Sequence, residues 1–218
     1  MVRAWQLWLS PRPEKRTVNT SETTFVTAGN AALYEPIAEP DGLWYLKETH
    51  YIDNPIVTAG KSGPPLHIHL QQDEYFQVEQ GVLGVIRDGV EYALTLEDGI
   101  FPIPRGSRHR FWSHKTSTET LIFSARADPC KGQDHILDMN FLRNAVGYLG
   151  DCDKAGIEPS PFQLILFFHN ASSLLCPPFL EWMPNWMLTL VHTGLAWIAE
   201  GPLGYSRSYP EYTKEHQI

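Results

Sequence analysis

A chain of 218 residues suits one ordinary domain, or one domain with a substantial extension. Apolar residues make up 43% and charged residues 19%, enough for a packed core, which excludes wholesale disorder. Acidic residues outnumber basic ones, 25 to 17, giving a formal net charge of −8 with no basic tract to offset it, which excludes a general nucleic-acid binder.

The chain opens with Trp5, Leu7, Trp8 and Leu9, but Arg3, Gln6, Pro11 and Pro13 interrupt the run. That is too short and broken for a signal-peptide core. Cys130, Cys152 and Cys176 are odd in number and widely spaced, so they make neither a disulfide framework nor a CxxC zinc site. A cytoplasmic protein is expected. The sequons at Asn19 and Asn170 carry little weight without a secretory signal. Residues 1–39 are expected to form an N-terminal arm.

From about Thr24 to Arg126 the sequence reads as short strands punctuated by turns. Leu43–Leu46 and Tyr51–Ile52 are strand-like, and Ala59–Pro65 is a loop. Glu74–Ile86 reads as strand, followed by an Asp88-Gly89 hairpin and a second strand, Val90–Leu96. Asp98-Gly99 turns the chain into Ile100–Pro104, and His109–Ser113 and Thr120–Ala125 complete the series. Strands at this spacing predict a sandwich or barrel over residues 40–126.

After Asp128-Pro129 the periodicity becomes helical, over His135–Gly147, Pro161–Leu175 and Phe179–Glu200. Residues 127–218 are thus expected to be a helical extension packed on the barrel or on a dimer partner. The last stretch is very apolar, but Glu181, Pro184, Asn185 and His192 argue against a membrane span. It is expected to bury Leu180, Trp182, Trp186, Leu190 and Trp197.

The chemistry concentrates in Gly63-Pro64-Pro65-Leu66-His67-Ile68-His69-Leu70-Gln71-Gln72-Asp73-Glu74. Two histidines at i and i+2 on a strand share a face, so His67 and His69 can both aim into a barrel. Glu74 follows a short turn and can add an oxygen ligand. Pro104-Arg105-Gly106-Ser107-Arg108-His109 brings another histidine to the start of a strand. Three imidazoles and a carboxylate suit Fe, Mn, Zn, Ni or Cu, with open positions on an octahedral ion. Strand parity places Phe76 and Val78 with Glu74, and Phe111 with His109. They would line an apolar pocket or simply fill the barrel. Arg105 and Arg108 sit beside the ligand turn, as anchors for a carboxylate or phenolate or as solvated loop charges. Tyr45 is a further pocket candidate beside His50.

These residues resemble the cupin superfamily. His67, His69, Glu74 and Gly81 match its first motif, and Pro104, Gly106 and His109 match its second. Gly63 or Gly60 stands near the first motif's opening glycine, Gly99 lies one residue too close to Pro104, and Ser113 replaces the usual Asn. The resemblance implies a mainly β fold, a jelly-roll barrel with a C-terminal helical extension. His67, His69, Glu74 and His109 would hold one divalent transition metal. The helical tail, ending in Gly204-Tyr205-Ser206-Arg207-Ser208-Tyr209-Pro210-Glu211-Tyr212, is similar to single-domain fungal cupins of secondary metabolism. That implies an enzyme acting on an apolar, oxygenated small molecule, polyketide-like or aromatic. Fe(II) dioxygenase chemistry is the first expectation. A Zn, Mn or Ni Lewis acid catalysing isomerisation, cyclisation or dehydration, with Glu74 as general base, is the second. Non-catalytic small-ligand binding is the third. Cupins often pair barrels, so a homodimer is expected, with no nucleic acid and no transmembrane span.

Overall fold

The computed structural model describes residues 9–40, 42–130 and 135–213. The sequence features at Arg3, Trp5, Gln6, Leu7 and Trp8 lie outside them. The architecture is mainly β, a cupin-type jelly roll followed by helices.

One sheet has six antiparallel strands in the order β1 (Phe25–Val26), β2 (Ala32–Ala38), β3 (Trp44–His50), β10 (Leu121–Asp128), β5 (Asp73–Gln80) and β8 (Ile100–Ile103). The other has five, in the order β11 (Ser173–Leu175), β4 (His67–His69), β9 (Arg108–Ser113), β6 (Leu83–Arg87) and β7 (Val90–Leu94). Period-two alternation fills the space between the sheets. Phe76 and Val78 from β5, Phe111 from β9 and Phe123 from β10 are buried in one cluster with Leu83 and Val85 of β6. The rings of Phe76, Phe111 and Phe123 stand 5.0–6.0 Å apart, edge to face.

Beyond this aromatic layer lies a polar one. The buried His50 ring bridges Ser62 Oγ at 2.8 Å and Glu48 Oε2 at 3.0 Å. Burial pushes the Glu48 carboxyl above its usual range, although contact with His50 opposes the shift. The network satisfies its polar atoms, as a buried cluster must.

The expected continuous strand Glu74–Ile86 is two strands, β5 and β6, broken at Gly81. Gly81 has φ +78°, and a Cβ there would stand 2.9 Å from Ser117 Oγ and 3.0 Å from Leu121 Cα. Only glycine turns the chain at that point without strain. Tyr51–Ile52 is not strand. It leads into a short helix, α1 (Pro55–Thr58), capped by the Asn54 side chain accepting from Ile56 N at 2.9 Å.

The tail holds α2 (Met139–Ala155), α3 (Pro161–Asn170) and α4 (Asn185–Glu200). α2 starts later than the periodicity suggests because Asp138 caps it, accepting from Phe141 N at 2.8 Å. The second helical stretch stops at Asn170, and its last residues become β11, paired with β4. α4 packs by Leu188 and its neighbours over Ile68 and Leu174. The expected burial of Trp182, Trp186, Leu190 and Trp197 is not found within one chain, where they are 64–72% exposed. Leu188, His192, Ala196 and Ala199 form the buried face instead. An all-round apolar helix gives periodicity little with which to choose a face. Among the described residues, no helix is long and apolar enough to cross a membrane.

Candidate metal centre

The two sheets deliver four ligand-type side chains to one point. β4 supplies His67 and His69, its neighbour β9 supplies His109 in register with His67, and β5 supplies Glu74 from the opposite sheet. All four are buried, and one potential ligand atom from each lies within 4.8 Å of all the others. Two contacts lock the motif turns together: Gly106 N donates to His69 O at 2.8 Å, and Arg105 N donates to Asp73 Oδ1 at 2.8 Å. The Arg105 guanidinium adds an ion pair to Asp73 at 3.0 Å. Arg105 is therefore a brace for the site loops.

Hydrogen bonding presets the imidazoles. His67 Nδ1 lies 2.9 Å from Pro65 O, and His109 Nδ1 lies 3.1 Å from Ser107 O. A carbonyl can only accept, so each Nδ1 carries a proton, which leaves Nε2 as the atom each ring can offer a cation. Both ring nitrogens of His69, Glu74 Oε2 and His109 Nε2 are buried without an aligned hydrogen-bond partner. His109 Nε2 and Glu74 Oε2 approach to 3.0 Å. Orphaned buried donors and acceptors are costly unless something else occupies their lone pairs. A divalent cation fits this set in ligand type, burial and convergence.

Burial drives the His67 pKa well below its ordinary value, aided by the charges His109 and His69 would carry. His69 is lowered to about 4, mainly by burial. Burial would raise Glu74, but the close His109 ring and nearby His69 hold it below the ordinary carboxylate value. His67 and His69 are thus held neutral and Glu74 a carboxylate, the protonation states metal ligation requires. Without metal, the unfolded chain holds a proton on His69 between about pH 6.5 and 4 that the folded chain does not. Stability of metal-stripped protein should therefore fall as pH drops through that window, His69 alone contributing up to about 3 kcal/mol. Urea unfolding at the two ends of the window checks this. Equal midpoints would mean the ring is not held neutral.

The remaining expected pocket residues divide. Phe76, Val78 and Phe111 face the barrel interior on the same strand faces as Glu74 and His109. Tyr45 is not brought to the site: it shares the outer face of β3 with Lys47, opposite the buried Glu48 and His50. Arg108 also faces out of the barrel, where its guanidinium donates to Glu181 O, Met183 O and, at 3.1 Å, Asn185 Oδ1. It clasps the start of α4. Sequence reasoning missed Phe168 of α3, whose ring stands 5.9 Å from His67, and Phe141 of α2, 5.2 Å from Phe168. No local pattern marks them, because helix packing alone carries them to the ligands. A cavity of about 190 Å³ lies behind Phe141, lined also by His135, Asp138, Phe167 and Arg207.

Comparison with known proteins extends these findings. The chain is 68% identical over 204 residues to Oxidoreductase iacF of Pestalotiopsis fici, spanning 94% of this chain and 100% of that protein. It is 50% identical over 216 residues to Probable oxidoreductase virH of Hypocrea virens, spanning 99% and 97% of the two chains. Among solved structures it is similar to an RmlC-like cupin from Shewanella frigidimarina, with 18% identity and a TM-score of 0.37 over 50% of this chain and 86% of that one. No protein-family model matches the chain.

Proposed function

The chain belongs to the family of fungal oxidoreductases that includes the Pestalotiopsis fici and Hypocrea virens proteins, and from that premise we propose that it is a metal-dependent oxidoreductase acting on an apolar, oxygenated small molecule, polyketide-like or aromatic. The observation that carries this reading is the buried cluster of His67, His69, Glu74 and His109 with its unpartnered ligand atoms. In this reading the four side chains hold one divalent transition metal, Fe(II) ahead of Zn, Mn, Ni or Cu. When bound, Fe(II) supplies the capacity to pair O2 with an electron-rich organic substrate, which side chains alone lack.

The protein's own groups do the rest. Pro65 O and Ser107 O hold the His67 and His109 tautomers. Phe76 and Phe111 wall the inner side, and Phe168 with Phe141 closes the outer side, excluding water. The barrel carries the chemistry, its sheets extended by β1 and β2 from the segment before residue 40 and by β11 from the segment after residue 126, and two copies form a cytoplasmic homodimer.

Oxygen dependence tests the reaction class. Turnover should stop under anaerobic conditions and fail in zinc-loaded protein, because O2 is a substrate. Unchanged anaerobic product formation by zinc-loaded protein would reverse the assignment in favour of redox-neutral chemistry, with Glu74 as general base.

A further inference from the structure

The outward face of α4 and the turn before it have no counterpart elsewhere on the described surface. Phe179, Trp182, Trp186, Leu190 and Trp197 are 64–74% exposed, and Trp182, Trp186 and Trp197 are the three exposed tryptophans among the described residues. Trp186, Leu190, Thr193 and Trp197 fall on one line at helical spacing, opposite the buried Leu188, His192, Ala196 and Ala199. From Asn185 to Ala199 there is no Asp, Glu, Lys or Arg, and the one histidine, His192, is buried. A patch of this size and composition on a soluble surface marks an interaction site.

We propose that this face is the two-fold interface between two copies of the chain, with α4 packed antiparallel against its partner copy and crossing between Val191 and His192. The inference deepens the homodimeric part of the reading above by naming its surface, and is independent of the metal chemistry.

Two arguments select a second copy. The first is register. In an antiparallel pair crossing there, Trp186 stands opposite Trp197 of the other copy, and Leu190 opposite Thr193. Each contact is then made twice, as an isologous interface requires. Tryptophans occupy the ends of the stripe, and the smaller Leu190 and Thr193 its middle. Gly194 has nothing within 4 Å of where a Cβ would be, so the two helices can approach closely at the crossing. The second is area. Aromatic side chains of this kind each carry about 150–250 Å², so the exposed part of the five amounts to on the order of 700 Å² per copy. Twice that falls within the roughly 1,200–2,000 Å² of a stable standard-size interface. Charge points the same way. The stripe offers no Lys or Arg to an anionic membrane surface, and the chain's net charge is −8.

The test uses the full chain with its metal. Light scattering across the micromolar range should give twice the mass of one chain, and Leu190→Glu should raise the dimer dissociation constant by about a hundredfold or more, because it buries an unpaired charge. Leu190 is exposed in the single chain, so unchanged circular dichroism and metal content keep this variant interpretable. The register has its own readout. An equimolar mixture of Trp186→Cys and Trp197→Cys chains should oxidise to a linked pair. Neither variant alone should link, because like positions lie about 16 Å apart along the crossing at 1.5 Å per residue. A wild-type monomer throughout the range would overturn both the interface and the homodimer. A dimer untouched by Leu190→Glu would overturn the interface alone and leave the homodimer standing. A monomer that co-sediments with phosphatidylcholine vesicles, with binding lost in Leu190→Glu, would assign the face to a lipid surface instead. Loss of turnover with the dimer intact would count against the metal reading only.

Discussion

Replacing His67 or His109 with alanine is expected to leave a folded barrel while lowering metal affinity by more than about a hundredfold, and turnover with it. Each ring projects its free Nε2 into the cluster because its Nδ1 is held by a backbone carbonyl, so no neighbouring side chain can take over the vacated position. The fold should survive because the core cluster of Phe76, Val78, Phe111 and Phe123 does not include these rings. His114→Ala is the control. His114 hydrogen-bonds Thr116 outside the cluster, and its loss should leave metal content unchanged. Elemental analysis with circular dichroism on all three variants decides the matter. Full metal content in both His67→Ala and His109→Ala would remove the site.

The largest expected effect on stability comes from a residue with no side chain. Gly63→Ala would place its Cβ 1.8 Å from the backbone oxygen of Phe111 and 2.8 Å from its carbonyl carbon. Backbone cannot swing aside as a side-chain tip can, so the strand carrying His109 or the turn leading into β4 must shift. The cost should exceed the roughly 1–3 kcal/mol typical of overpacking, and metal should be lost along with stability. Gly150→Ala is the counterpart. Gly150 lies inside α2, with nothing within 4 Å of its Cβ position, and alanine there should stabilise by about 0.5–1 kcal/mol. Thermal melts of the two variants should move in opposite directions. A wild-type melting point for Gly63→Ala would mean the close approach is not rigid.

What could be read from the sequence was what depends on local spacing. His67 and His69 share a face through period two, and the Pro104-Arg105-Gly106 turn sets His109 at the head of its strand. The same parity sends Phe76, Val78 and Phe111 inward, turns Arg108 outward beside the inward His109, and sets Tyr45 on the face opposite Glu48 and His50. The boundary at Gly81 is carried by one residue's positive φ, which a run of strand-formers hides. Between Gly60 and Gly63 spacing alone gave no choice. Gly63 must lack a Cβ for want of space beside Phe111, whereas at Gly60, where the nearest atom is the Trp112 ring at 3.6 Å, glycine is required by a φ of +67°. Phe168 and the pairing of β11 with β4 were beyond local reading, because both join residues about a hundred positions apart.

That pairing also orders events during synthesis. Until Ser173–Leu175 is made, β4 is a bare edge whose ligand histidines face one unfinished sheet and whose Ile68 has nothing over it. At about 5–20 residues per second, the ribosome needs several seconds after finishing β4 to deliver its neighbour, and longer to deliver the helix that covers Ile68. A nascent chain can therefore shape most of the barrel while its ligand strand stays exposed. The strand that borders the candidate ligands comes from about a hundred residues downstream of them, so a chain cut short before Ser173 would leave β4 without its outer neighbour.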